Sequence, residues 1–293
     1  MKHLVCFGFG FSARALAPRL QAKGWRVTGT SRSAEGAEKI VAMGFEAAVF
    51  DGSSPSADVR RALQTATHIV ISVPPGESGD PVLIHHKPDI AGAPELQWIG
   101  YLSTIGVYGD HDGAWVDETT QPVPVSPRSG RRLEAEGAWL HIGGARAEGL
   151  PRVQVFRLSG IYGPGRSAIN QILKGKARSI VKPGQLFNRI HVEDVAGAVE
   201  AAIERGGNHL VYNVTDDEPA PPQDVTAYAA QLLGRPAPPE VAYEDAELSE
   251  MAKSFYGEVK RVRNERLKTD LQFEFRYPTY REGLQAIAQR TAE

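Results

Sequence analysis

The residues whose types and spacing carry chemistry begin at the N-terminus, with the run Gly8-Phe9-Gly10-Phe11-Ser12-Ala13 and, further on, Arg32. The run fits Gly-x-Gly-x-x-Ala. The first glycine of that pattern permits a tight turn, the second lets a pyrophosphate approach the backbone, and a small third residue lets a helix pack closely on a strand. A helix starting at the loop presents backbone N–H groups and its positive dipole end to phosphates. The next apolar segment ends at Thr30-Ser31-Arg32. An acid there would bind a ribose hydroxyl pair and repel a 2′-phosphate, whereas arginine beside two hydroxyls binds that phosphate, so the site is expected to hold NADP(H). The competing reading makes Arg32 a solvated loop residue. Asp51, at the end of a third strand, is placed to accept from an adenine amino group, and Ser72, Val73 and Pro74 to run under the adenosine ribose and pyrophosphate. Ordinary strand-end and turn chemistry explains those four almost as well.

These residues need a scaffold, and the hydrophobic pattern supplies one. Short apolar runs at 4–7, 26–30, 47–50, 68–72, 98–102, 153–158 and 210–214 alternate with helix-patterned segments at 12–23, 34–43, 58–64, 132–142 and 192–204. That alternation predicts an α/β fold of the Rossmann type, a doubly wound parallel sheet, with a smaller C-terminal substrate lobe. The expected division is 1–165 for the dinucleotide-binding domain, with 190–215 returning to it, and 166–293 for the lobe. After Thr215 the chain turns proline-rich and looks poor in strands.

Composition narrows the class. Among 293 residues, 33 basic and 35 acidic side chains leave a net charge of -2, which argues against a nucleic-acid or anionic-membrane partner. No signal-like or membrane-length apolar run is visible, and Cys6 stands alone within an apolar strand. The expectation is a soluble cytoplasmic protein whose one thiol is buried packing. His85, His86 and Asp89 invite a metal reading, but adjacent histidines do not share a face, so no metal is expected.

Further segments carry a resemblance: residues 101–109 (Tyr-Leu-Ser-Thr-Ile-Gly-Val-Tyr-Gly), 157–165 (Arg-Leu-Ser-Gly-Ile-Tyr-Gly-Pro-Gly), 189–195 (Arg-Ile-His-Val-Glu-Asp-Val) and the closing stretch that contains Tyr277-Pro-Thr-Tyr-Arg-Glu-Gly-Leu. With the glycine loop, they make the chain resemble the atypical extended short-chain dehydrogenase/reductase (NAD-dependent epimerase/dehydratase-like) family along almost its whole length. The resemblance implies a catalytic hydroxyl at Thr104, with Ser103 beside it, and a Tyr-x-x-x-Lys pair one helix later. Counting back from residues 133–136 puts Arg128 and Arg132 at the tyrosine and lysine positions. Arginine does not exchange protons near neutral pH, although Arg132 can supply the lysine's fixed charge at the nicotinamide ribose. Tyr256 and Lys260 match the spacing of the pair but fall in the wrong region.

Tyr162 is the remaining catalytic candidate. The resemblance also points to Tyr108, Arg166, Asn188, Arg189 and His191 as substrate-side residues, with surface salt bridging an equal alternative for the arginines. It implies a small-molecule substrate and a homodimer through helices near 80–92 and 132–142. Two functions follow as expectations: an NADP-dependent oxidoreductase, epimerase or dehydratase-type enzyme on a polar sugar- or nucleotide-like substrate, or a non-catalytic NADP(H)-binding redox sensor or scaffold.

Overall fold

The structure is a computed structural model that describes residues 1–143 and 150–292. In chain order the strands are β1 (His3–Phe7), β2 (Arg26–Ser31), β3 (Glu46–Val49), β4 (His68–Ile71), β5 (Trp98–Thr104), β6 (Trp115–Val116), β7 (Arg152–Leu158), β8 (Gly160–Tyr162), β9 (Ser179–Val181), β10 (Arg189–His191), β11 (Val211–Val214), β12 (Glu240–Ala242) and β13 (Arg261–Val262). The helices are α1 (Phe11–Ala22), α2 (Ala34–Ala42), α3 (Ala57–Leu63), α4 (Pro81–Ala91), α5 (Pro127–Gly143), α6 (Ala168–Leu173), α7 (Val192–Arg205), α8 (Pro222–Leu232), α9 (Glu250–Tyr256), α10 (Glu265–Asp270) and α11 (Tyr280–Ala292).

Seven strands form one parallel sheet in the order β3-β2-β1-β4-β5-β7-β11. β1 and β4 are buried along their whole length, as interior strands covered on both faces should be. The strand order reverses between β1 and β4, so the turns leaving both strands open on the same crevice, where doubly wound sheets bind ligands. Serine and aspartate caps start the flanking helices. Ser33 accepts from the Gly36 N–H, Ser56 from Val59, and Asp80 from Val82 and Leu83.

Helix α5 begins at Pro127, five residues before the segment expected from the hydrophobic pattern. Proline suits a helix's first turn because its missing N–H would be unpaired there anyway. The earlier start places Arg128 and Arg132 on one helix, one turn apart.

The described chain divides into two compact units. The first comprises 1–104, 127–157 and 196–212, and the second 105–126, 158–195 and 213–293. The first has a core of Val5, Phe7, Ile69, Ile71, Ile99, Tyr101, Trp139 and Val155 around the sheet. In the second, α6, α8 and α11 pack together around Ile169, Ile172, Val225, Ala229, Tyr280, Leu284 and Ile287. This unit also holds three parallel two-stranded ribbons, β8–β10, β9–β12 and β6–β13. The C-terminal stretch therefore contributes strands where few were expected; pieces two or three residues long carry no readable alternation. No helix among the described residues is long and apolar enough to cross a membrane.

Candidate functional site

The glycine loop leaves the end of β1 and is held from both sides. The Gly8 N–H donates to Thr30 Oγ1 at 2.8 Å, and the Phe9 N–H to the Thr30 carbonyl at 3.1 Å. Ser72, just past β4, donates its hydroxyl to the Gly8 carbonyl at 2.8 Å. Gly8 has φ +87°, and a Cβ on it would lie 2.7 Å from Ser72 Oγ, so only glycine fits this turn. A Cβ on Gly10, by contrast, would meet nothing within 4 Å. Space is open over the residue where a pyrophosphate must come close, and α1 starts there with no side-chain cap and no acid in its first turn. Phe11 follows as its first residue. Phe9 packs inward against Gly29 and Phe45, while Ser12 and Ala13 are buried against the sheet.

Arg32 is exposed immediately after β2 and pairs with no acid among the described residues. Ser31 turns its hydroxyl toward the start of α2, where Gly36 leaves room for it. Asp51 is exposed and accepts from the Ser53 N–H at 2.8 Å and hydroxyl at 2.7 Å, bonds that hold its carboxyl below the usual range. Val73 is half-buried and Pro74 exposed in the turn after Ser72. A dinucleotide therefore meets residues that fit it: a backbone cradle at Gly8–Gly10, an uncapped helix terminus and a free guanidinium at the end of β2.

The end of β5 separates its two hydroxyls. Ser103 points into the protein and donates to Glu136 Oε1 at 2.5 Å. Glu136 also takes both Nε and Nη2 of Arg157, at 3.1 and 2.8 Å to Oε2, and all three residues are buried. Thr104 is half-buried at the strand end. Arg132 donates to the Tyr101 hydroxyl at 3.1 Å and the Leu102 carbonyl at 2.9 Å, which fixes its charge beside β5. Arg128 is exposed. Asp80, not singled out from the sequence, caps α4 with one oxygen and accepts from the Trp139 indole N–H with the other at 3.0 Å. Burial pushes its carboxyl above the usual range. Cys6 is fully buried, and burial pushes its thiol up to about 12. His86 accepts from the Ser56 N–H with Nε2, so its Nδ1 carries the proton that goes to Asp89.

The remaining candidates lie in the second unit. Tyr108 is buried and donates to Asn213 Oδ1 at 2.8 Å. Asn188 spends its amide on the chain at β13, donating to the Lys260 carbonyl and accepting from the Val262 N–H, both at 2.9 Å. Tyr162 donates to the Thr279 carbonyl at 3.4 Å, and burial raises its phenol above the ordinary range. Arg166 is exposed. His191 is buried between Tyr277 and Tyr162 at ring distances of 4.1 and 5.2 Å. Its Nδ1 accepts from the Glu193 N–H at 3.2 Å, so the neutral ring carries its proton on Nε2. Burial lowers its pKa to about 4. Arg189 anchors on the Phe187 and Ala220 carbonyls at 2.9 and 3.0 Å. Beside it lies Asp216, a buried carboxyl that sequence reasoning missed, with no local motif to announce it.

No family model matches the chain. It is 31% identical over 290 residues to protein YeeZ of Escherichia coli strain K12, covering 95% of this chain and 97% of YeeZ. This chain belongs to the extended short-chain dehydrogenase/reductase, epimerase/dehydratase-like family. A functionally unknown conserved protein of Silicibacter pomeroyi is similar to this family member over 100% of both chains, with 46% identity and a TM-score of 0.88. A Methylobacillus flagellatus protein suggested to be an NAD-dependent epimerase/dehydratase follows at 27% identity and a TM-score of 0.74, over 100% of this chain and 99% of its own. Human epimerase family protein SDR39U1, solved with NADPH, shares the family fold at 20% identity and a TM-score of 0.73, over 98% of this chain and 99% of its own. The resemblance puts Arg128 and Arg132 at the family's tyrosine and lysine positions.

Proposed function

We propose that the first unit binds a nicotinamide dinucleotide, NADP(H) in preference to NAD(H), and that the chain uses it as an oxidoreductase, epimerase or dehydratase-type enzyme on a polar, sugar- or nucleotide-like small molecule. One observation carries this reading: the loop pinned by Thr30 and Ser72 leaves open space over Gly10, at the start of an uncapped helix. The NADPH bound by the human family protein supports it at the level of fold. When bound, the dinucleotide supplies the carbon that gives or takes a hydride.

The chain's own residues then have separable tasks. The α1 terminus and the Gly10 backbone receive the pyrophosphate. Arg32, with Ser31, takes the 2′-phosphate, and Arg132, fixed by Tyr101 and Leu102, keeps a positive charge at the end of β5. Thr104, half-buried at the end of β5, is the hydroxyl proposed to orient the substrate, while Ser103 faces inward to Glu136. Tyr162, whose phenol burial holds protonated, is suited to donating a proton rather than removing one. The lone buried thiol fits a reducing cytoplasm, and α4 and α5 are the proposed homodimer helices.

A second reading, a non-catalytic NADP(H) sensor or scaffold, is favoured by Arg128 and Arg132, neither of which exchanges protons near neutral pH. Fluorescence titration tests the common part. NADPH is expected to bind at least about tenfold tighter than NADH, and Arg32→Asp to remove most of that preference. Equal affinities overturn the role of Arg32; failure of both dinucleotides to bind overturns the whole reading.

A further inference from the structure

Ribbon β8–β10 carries a guanidinium with half of its bonding capacity unused. Nη1 of Arg189 is committed to the Phe187 and Ala220 carbonyls, while its Nε and Nη2 hydrogens meet no acceptor among the described residues. Next to it stands Asp216, 1% exposed, with Oδ1 accepting from the Glu218 N–H at 3.3 Å and Oδ2 buried with no partner. The backbone holds the two together: the Asp216 N–H and the Thr215 hydroxyl both donate to the Arg189 carbonyl, at 2.7 and 3.2 Å. The side chains feel each other's charge, yet no nitrogen of Arg189 comes within 4.0 Å of a carboxylate oxygen of Asp216.

A guanidinium and a buried carboxyl that stand close without pairing leave donors and an acceptor unmet, an arrangement rare in a structural role and natural in a binding one. On the ribbon, Arg189 is in register with Gly160, and His191 with Tyr162. Gly160 is exposed and has no side chain, so nothing from that register position covers Arg189. The free Nε and Nη2 edge is the planar fork that matches two oxygens of a carboxylate or phosphate.

We propose that Arg189 and Asp216 form a ligand subsite for a hydroxylated oxyanion: the Arg189 fork takes two oxygens of a carboxylate or phosphate, and Asp216 Oδ2 bonds a hydroxyl of the same molecule. Burial holds the Asp216 carboxyl well above the usual range, so it stays neutral and does not repel an anion. Joined to the function proposed above, and resting on it for this step alone, the subsite narrows the substrate to a sugar acid or sugar phosphate.

Calorimetry on the full chain with D-gluconate, D-glucose 6-phosphate and D-glucose tests the subsite. One of the two anions is expected to bind at least about tenfold tighter than glucose, gluconate marking a carboxylate site and the phosphate ester a phosphate site. Arg189→Gln should cost at least about tenfold of that affinity, and Arg189→Lys, which keeps the charge without the fork, should recover only part of it. Asp216→Asn, nearly isosteric, should weaken gluconate while leaving acetate unchanged. The proposal is overturned if neither anion binds more tightly than glucose, or if Arg189→Gln changes affinity less than about twofold. NADPH titration of the same samples checks folding and separates the two readings. Dinucleotide binding without anion binding removes the subsite alone, and anion binding without dinucleotide binding removes the proposed cofactor alone.

Discussion

The two units treat buried polar groups in opposite ways. In the first, Glu136 satisfies Ser103 and both arms of Arg157, and Asp80 satisfies a helix start and an indole. Its orphaned buried side-chain atoms, among the described residues, are two arginine nitrogens, on Arg131 and Arg152. In the second unit the orphans are Gln185 Oε1, His191 Nε2, Asp216 Oδ2 and Gln223 Oε1, three of them acceptors. The first unit pairs its buried carboxyls at Glu136 and Asp80 and offers backbone, at Gly10 and the start of α1, with Arg32 exposed beside it; the second offers buried side chains. A cofactor with one conserved shape suits recognition by backbone, while a substrate is distinguished by directed side-chain bonds.

The largest effect that tests this contrast is the loss of Glu136. Glu136→Ala removes the carboxylate that holds the buried Arg157 guanidinium and should cost about 3–5 kcal/mol in urea unfolding. Asp216→Asn keeps an oxygen for the Glu218 N–H and should cost under about 1 kcal/mol. Equal losses would erase the distinction between the units.

Acid should weaken both units through buried histidines, His3 and His68 in the first and His191 in the second. His68 and His191 have their pKa lowered to about 4, chiefly by burial, from an ordinary 6.5. Between those values the unfolded chain binds more protons than the folded one. Stability is therefore complete above about pH 6.5 and is lost as pH falls toward 4, by as much as ~3 kcal/mol per histidine. Urea midpoints measured across this range should fall, and His68→Gln and His191→Gln should each flatten part of the slope. A midpoint independent of pH from 6.5 to 4 would show that neither ring is buried neutral.

The glycine loop gives smaller stability effects than Glu136, and they are the most discriminating. Gly8→Ala forces a side chain to φ +87° against Ser72 and should cost roughly 1–2 kcal/mol. Gly10→Ala, at φ -87° with open space above it, should leave the melting temperature nearly unchanged yet weaken NADPH at least about tenfold. Wild-type affinity in Gly10→Ala would end the case for recognition by backbone.

Residue order alone determined the seven main strands, most of the helices and the glycine loop, because strand alternation, helix caps and the need for a missing Cβ are constraints between near neighbours. It did not reveal the start of α5, where a proline hid the first turn, or ribbons such as β6–β13, whose partners are Trp115 with Arg261 and Val116 with Val262. It brought Ser103 and Thr104 forward as a pair, and only packing told them apart, by setting Glu136 under one of them. Arg189 was visible as a type of residue, but its unused fork was not. Asp216 looked like one acid in an acidic turn; its burial, its missing partner and its place beside Arg189 depend on segments far apart in the chain meeting at one ribbon. Spacing determines where a backbone can bend, whereas desolvation and pairing are properties of what the fold brings close.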